Sequence, residues 1–198
     1  MSTASMTTGQ FREFAGAVLR FLPDDLDPTT AQGWIENQES LRKILREALT
    51  PDGKPAGNSY PLSVDYGRSV EDGVKTGRYN WADSDITSHN FPTKRKGAAE
   101  VAVELTYFNR VISTDEALRE LDRMGCRPAE LHVLLAFGEK YPEVQHEFPV
   151  VALGSVWQSR SGDRLVPYLR RHGSRRHLYL YWVGYDWDEI YRFAAVRK

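Results

Sequence analysis

Apolar positions near the N-terminus recur at helical spacing. Phe11, Phe14 and Val18 fall on one side of a helix, and two further amphipathic stretches follow before residue 50. The next positions are dense in Pro, Gly and polar residues, which is the composition of a linker. The pattern predicts a helical N-terminal unit at 1–50 and a linker at 51–59.

Beyond the linker the pattern changes to short segments typical of strands, of which 101–108 is rich in β-branched and aromatic residues. Two helices are expected next. Ser113 and Glu116 have capping-box spacing at the start of the first helix, and Gly125 suits its left-handed end. Pro128 is expected to start the second helix.

Further strands are predicted towards the C-terminus, at 150–157, 164–170, 176–183 and 190–196. The second and third flank a turn in which Gly173 can take the positive φ that such a turn often needs. The third of these strands alternates, with Leu178, Leu180 and Trp182 on one face and His177, Tyr179 and Tyr181 on the other. We expect the first face to pack inward and the second to project into solvent. The elements together predict an α+β domain at 60–198, with two helices and a mostly antiparallel sheet.

The composition is that of a globular protein with one main core, with 198 residues, 41% hydrophobic and 27% charged. The sequence has no apolar run of the length needed to span a membrane and no recognisable export signal, so we expect a cytoplasmic protein without a membrane partner. Cys126 is the only cysteine, which excludes an intrachain disulfide and a Cys-rich metal site.

Charge is unevenly distributed along the chain. The net charge is −1, yet residues 150–198 carry nine Lys or Arg against four Asp or Glu, and residues 170–177 alone contain four Arg and two His. Such a segment suits an anionic partner, but it can equally pair with the acidic remainder of the same chain. A solvated hairpin tip, whose arginines prevent edge-strand aggregation, would have the same composition.

Two segments resemble C-type lectin-like domains, the group that includes formylglycine-generating-enzyme-like domains and the variable proteins of diversity-generating retroelements. Gly125-x-Arg127-Pro128-x-Glu130 is similar to their Gly-x-Arg-Leu-Pro-Thr-x-x-Glu segment, and Arg192-Phe193-Ala194 is similar to their closing strand. The resemblance covers residues 60–198. The chain is also similar to uncharacterised bacterial proteins with the same C-terminal pattern, a likeness that implies no function.

What this resemblance implies is limited by what the sequence lacks. The calcium-binding triplets of sugar-binding lectins are absent, and Cys126 has no partner for the two-cysteine chemistry of formylglycine-generating enzymes. The resemblance therefore implies a binding scaffold. In retroelement variable proteins, ligand contacts come from scattered polar and aromatic positions near the C-terminus, which here are Tyr179, Tyr181, Tyr185, Asp186, Asp188 and Tyr191.

Three functions are compatible with the sequence. The first is a non-enzymatic binding protein, without cofactor, metal or catalytic residues, that presents those positions to a macromolecular partner, expected to be a protein, together with Arg170, Arg171, Arg175 and Arg176. The second is a nucleic-acid-binding or nucleic-acid-mimicking effector that uses the arginine-rich turn Arg170–His177 and the basic segment Lys94–Lys96. The third is a metal-dependent enzyme in which Asp83, Asp85 and His89 are the metal ligands. The alternative explanation for this segment is a turn, in which such side chains form hydrogen bonds to the backbone.

Overall fold

The computed structural model describes residues 7–20, 27–42 and 59–198, and the chain divides into two compact units, Met1–Leu49 and Thr50–Lys198. The predicted linker lies outside the described residues except for Ser59, which begins a strand. In the first unit, α1 spans Thr8–Arg20 and α2 spans Pro28–Glu36, and residues 38–42 are also helical.

Pro28 occupies the first position of α2, where its missing N–H is not needed for an intrahelical hydrogen bond. Asp27 precedes it and accepts hydrogen bonds from the backbone N–H groups of Thr29 and Thr30, at 3.0 and 2.9 Å. The start of this helix is therefore encoded in adjacent residues.

The second unit combines helices with one large sheet. Its helices are α3 (Val70–Thr76), α4 (Thr114–Arg123), α5 (Leu131–Lys140) and α6 (Val144–Glu147). Its strands are β1 (Ser59–Asp65), β2 (Trp81–Ala82), β3 (Ala98–Thr106), β4 (Cys126–Pro128), β5 (Val150–Val151), β6 (Trp157–Gln158), β7 (Arg164–His172), β8 (Arg175–Trp182) and β9 (Arg192–Arg197).

The nine strands form one sheet in the order β1-β3-β9-β5-β7-β8-β2, with β4 also paired to β9 and β6 to β7. All pairs are antiparallel except β2–β8 and β5–β9. The predicted α+β class with a mostly antiparallel sheet is confirmed. The closing strand β9 is central, and its residues 193–196 are all buried, as expected for a strand covered on both faces.

Each face of the sheet carries an apolar core. The first core contains Leu134 and Phe137 of α5, and the second contains Leu121 of α4 and the fully buried Trp187. Because successive residues of a strand point to opposite faces, neighbours in β8 serve different cores. The buried Leu178 belongs to the first core, and Tyr179 packs against the second.

Three local signals in the sequence are confirmed. The Ser113 hydroxyl caps α4 by accepting a hydrogen bond from the Glu116 backbone N–H at 3.3 Å. Gly125 follows this helix with a φ of +72°, and Gly173 turns the β7–β8 hairpin with a φ of +60°. Both glycines occupy the left-handed region that side chains with a Cβ disfavour.

Two predicted elements differ in the structure. Pro128 ends strand β4, where it pairs with Ala195, and the helix begins only at Leu131, whose backbone N–H donates to the Ser155 hydroxyl at 2.8 Å. The apolar segment 150–157 forms the two short strands β5 and β6 rather than one long strand. In both cases, pairing with strands that are distant in the sequence determines the secondary structure.

Candidate binding surface on the β7–β8 hairpin

The β7–β8 hairpin places cationic and aromatic side chains opposite one another. Three register pairs are Tyr168 with Tyr179, Arg170 with His177, and His172 with Arg175. Residues directly opposite in a sheet share a face, and so do alternate residues along each strand. All six side chains therefore lie on the face of the second core.

Trp81 joins this group from the neighbouring strand β2. It lies opposite His177 in the parallel β2–β8 pair, and its ring centroid is 4.6 Å from that of Tyr179. Its side chain remains 43% exposed. We call the following seven residues the hairpin face: Trp81, Tyr168, Arg170, His172, Arg175, His177 and Tyr179.

Exposure increases along the hairpin face towards the turn. Tyr168 is 4% exposed and stacks on the half-buried Tyr179, with ring centroids 5.7 Å apart. Arg170, His172 and Arg175 are exposed. The aromatic part of the hairpin face is therefore held by the core, whereas its cations face solvent.

Several contacts fix the Arg170–His177 pair. The Arg170 guanidinium lies 5.9 Å from the Tyr179 ring centroid, and a hydrogen bond with the Tyr168 hydroxyl raises the pKa of Arg170. Behind the pair, the buried Gln145 side chain donates to the backbone carbonyls of Arg170 and His177, at 2.8 and 3.3 Å. The pair is therefore positioned from both faces of the sheet.

His177 lies among other basic side chains on the hairpin face. Its Nδ1 lies 2.7 Å from the Tyr179 hydroxyl, and desolvation lowers its pKa, with further lowering from His172, Arg175 and Arg170. None of the ion pairs formed within residues 7–20, 27–42 and 59–198 includes these four side chains.

Tyr181 and Tyr191 belong mainly to the second core. Their rings lie 4.9 and 5.1 Å from the fully buried Trp187 ring, and Tyr191 is only 8% exposed. Burial raises the pKa of Tyr191 to about 12. Tyr179 and Tyr181, expected to project into solvent, are each half-buried against this core. Trp182, expected to face inward, is 39% exposed.

Tyr185, Asp186 and Asp188 are exposed on the loop that follows β8, at the end of the strand opposite the hairpin turn. Tyr185 and Asp186 line a cavity of about 320 Å³. Trp187 anchors this loop, since its indole N–H donates to the Thr114 hydroxyl at 2.9 Å. These residues form a second polar group, separate from the hairpin face.

Arg171 and Arg176 lie on the face opposite the hairpin face. The Arg176 guanidinium donates to the backbone carbonyls of Gly77 and Gly138 and lies 4.9 Å from the Tyr79 ring centroid. Burial lowers the pKa of Arg176. This side chain is a structural link between β8 and the helices, so it is not available to a partner as the sequence suggested.

Trp81 is the residue of the hairpin face that the sequence did not reveal. Its strand has two residues, which is too short for any periodic signal. The adjacent Asn80 docks it on β8, because its backbone N–H donates to the Arg176 carbonyl and its side-chain oxygen accepts from the Arg176 N–H, both at 2.8 Å.

Asp83 and Asp85 form a turn. The Asp83 carboxylate accepts a hydrogen bond from the Asp85 backbone N–H at 3.0 Å, which is the local bonding that favours Asp in turns. In the part of the chain that the structure describes, no group of three or more His, Cys, Asp or Glu is arranged to hold a metal ion.

None of the helices in the described ranges has the length and apolar character needed to cross a bilayer. Comparison with known protein families, curated proteins and solved structures finds no match to the chain.

Proposed function

We propose that this chain is a non-enzymatic binding protein that receives an anionic region of a macromolecular partner on the hairpin face. The observation that carries the proposal is the grouping of Arg170, His172, Arg175 and His177, which form no ion pair with the described carboxylates. Arg170 and Arg175 stand diagonally across the two strands on one face, and neighbouring like charges are destabilising, so folding alone does not favour this arrangement. A bound anion would offset that repulsion.

The aromatic part of the hairpin face suits a binding role. Tyr179 and Trp81 offer ring surface, and their mutual contact at 4.6 Å restrains them before a partner arrives. Such side chains lose little conformational entropy on binding. The hairpin face therefore combines a preformed aromatic floor with exposed charged groups at its edge.

We further propose that residues 60–198 use a C-type lectin-like scaffold. The two segments that carry the resemblance are neighbours in space, since Pro128 pairs with Ala195 and the Ala129 N–H donates to the Ala194 carbonyl at 2.8 Å. On such a scaffold, C-terminal aromatic positions would supply the partner contacts.

Chromatography on immobilised heparin, a sulfated polyanion, tests the proposal. The whole chain has a net charge of −1, so its overall charge does not favour retention. We expect retention of the natural protein and elution at lower salt for Arg175→Ala. Arg171→Ala is the matched control, because it removes the same charge from an exposed position on the opposite face. No retention, or equal shifts for both variants, would overturn the proposal.

A further inference from the structure

Two kinds of group are available together on the hairpin face. Its cations lack carboxylate partners among the described residues, and Trp81 keeps 43% of its surface exposed beside Tyr179. An acidic peptide satisfies the cations but need not bring flat rings. A nucleic-acid duplex brings phosphates but keeps its bases stacked inside.

An unpaired nucleic-acid strand supplies both groups, because its bases are free to stack on aromatic side chains while its phosphates meet Lys or Arg. We infer that the hairpin face binds single-stranded nucleic acid, with a base stacked on Trp81 and phosphates paired with Arg170 and Arg175. This inference rests on the proposed function and names its partner.

The spacing of the cations suits an extended strand. The Arg170–His177 and His172–Arg175 pairs are two residues apart along the hairpin, which corresponds to roughly 6.6 Å. Trp81 lies beside the first of these pairs, opposite His177. An unpaired nucleic-acid strand that lies along the hairpin therefore meets a ring and two successive rows that each contain an arginine and a histidine.

Arginine also favours this ligand over a simple inorganic anion. A guanidinium donates in a planar fork that matches phosphate oxygens, and its flat surface can stack on a base. Arg170 already lies over an aromatic ring, with its guanidinium 5.9 Å from the Tyr179 centroid. The same side chain can contact a phosphate and border a stacked base.

The test is a titration of the full chain against short fluorescein-labelled oligo(dT) and oligo(U), followed by fluorescence anisotropy at several salt concentrations. Contacts to two or three phosphates predict a slope of log affinity against log salt of about −1.4 to −2. Arg175→Ala should make this slope shallower by about 0.7. Arg171→Ala should leave it unchanged.

Stacking is tested separately by Trp81→Ala, which should weaken oligonucleotide binding by roughly five- to a hundredfold, the loss of one base–aromatic stack. Trp182→Ala is the matched control, since Trp182 is 39% exposed and its position in the β7–β8 register places it on the opposite face of the sheet. Trp81→Phe keeps a ring and should retain most of the affinity. It also preserves the test if Trp81→Ala does not fold, which thermal melting would show.

A duplex of the same length and the base-free polyanions heparin and polyglutamate complete the experiment. Weaker binding of the duplex than of the single strand supports the inference, and equal binding overturns it. If the protein binds heparin or polyglutamate but does not bind oligonucleotides, the inference is overturned and the proposed function remains intact. Failure to bind any of these anions overturns both.

Discussion

Arg171 and Arg176 stand directly opposite each other across the β7–β8 hairpin, yet only Arg176 is enclosed by protein groups. Its guanidinium donates to two backbone carbonyls and, at 3.1 Å, to the Gln145 side-chain oxygen. Arg171 is exposed. The density of arginine in a sequence therefore overstates the number of cations that a partner can reach.

This difference predicts unequal effects on stability. Arg176→Ala should lower the free energy of unfolding by about 2–4 kcal/mol, because the Gly77 and Gly138 carbonyls lose their donor and each unsatisfied buried acceptor costs roughly 1–3 kcal/mol. Arg171→Ala should change it by no more than about 0.5 kcal/mol. Urea unfolding of both variants measures the difference, and equal midpoints would contradict the structural role of Arg176.

Gly154 lies in close contact with the backbone of Pro128 and Ala129, which leads to a second prediction. A Cβ there would lie 2.6 Å from the carbonyl oxygens of both Pro128 and Ala129, backbone groups held by the pairing of β4 with β9. We expect Gly154→Ala to cost about 1–3 kcal/mol of stability by overpacking, measured by thermal unfolding.

Gly125 provides the contrasting case, since its added Cβ would meet nothing within 4 Å and only its φ of +72° disfavours a side chain. Gly125→Ala should therefore cost about 1–2 kcal/mol, and Gly125→Asn should recover part of the loss. If the Gly154→Ala protein were as stable as the natural protein, the backbone at Pro128 and Ala129 would have to move to accommodate the added Cβ.

Local signals in this sequence predicted local structure well. The Ser113 cap, the left-handed Gly125 and the turn at Gly173 each depend on residues within a few positions of themselves. The alternation along β8 was also correct, with Leu178 and Tyr179 on opposite faces. Such features require no knowledge of the rest of the fold.

The sequence could not reveal which residues pack on each face of the sheet. Tyr181 is half-buried because Trp187 and Phe193, from the loop and strand that follow it, complete a second core on its side of the sheet. Pro128 satisfies the rule for a helix start, but pairing with β9 places it in a strand. The helix α3 and the short strand β2 were missed because neither has a strong periodic pattern.

The second core leads to a third prediction, for Tyr181. Its ring lies 4.9 Å from that of Trp187, so Tyr181→Ala should destabilise the protein by about 1–3 kcal/mol, below the range for a fully buried aromatic residue. Tyr185→Ala is the control, because Tyr185 is 58% exposed and should change stability by about 0.5 kcal/mol or less. Similar melting temperatures for both variants would place Tyr181 on the surface.

A fourth prediction concerns the pH dependence of folding. Burial lowers the pKa of His132 on α5, whose ring lies 5.8 Å from that of Tyr66, below the ordinary value of 6.5. The unfolded state therefore binds a proton more readily than the folded state. The contribution of His132 to stability is present above pH 6.5 and is lost as the pH falls through its folded pKa.

Replacing His132 by Gln removes the titrating group and should flatten the decline of stability on acidification. Urea unfolding of both proteins across this pH interval measures the effect. His146→Gln serves as a histidine control at a position outside this pair of rings. An unchanged pH profile for His132→Gln would mean that other groups control acid sensitivity.

The last prediction links pH to ligand binding through His177. In the free protein, desolvation and the positive charges of His172, Arg175 and Arg170 lower the pKa of His177 below 6.5. A phosphate bound among these groups would counter their charge and raise the pKa of His177 in the complex. Binding would then take up a proton, so affinity should rise as the pH falls through the bound-state pKa and level off below the free-state pKa.

The measurement compares the natural protein with His177→Asn, whose amide can still bond to the Tyr179 hydroxyl but cannot become charged. Oligo(dT) affinity should rise more between about pH 8 and about pH 6 in the natural protein than in the variant. His172 is present in both proteins, so the difference isolates His177. Equal pH slopes would show that no phosphate approaches His177, because a bound phosphate beside that ring must shift its protonation.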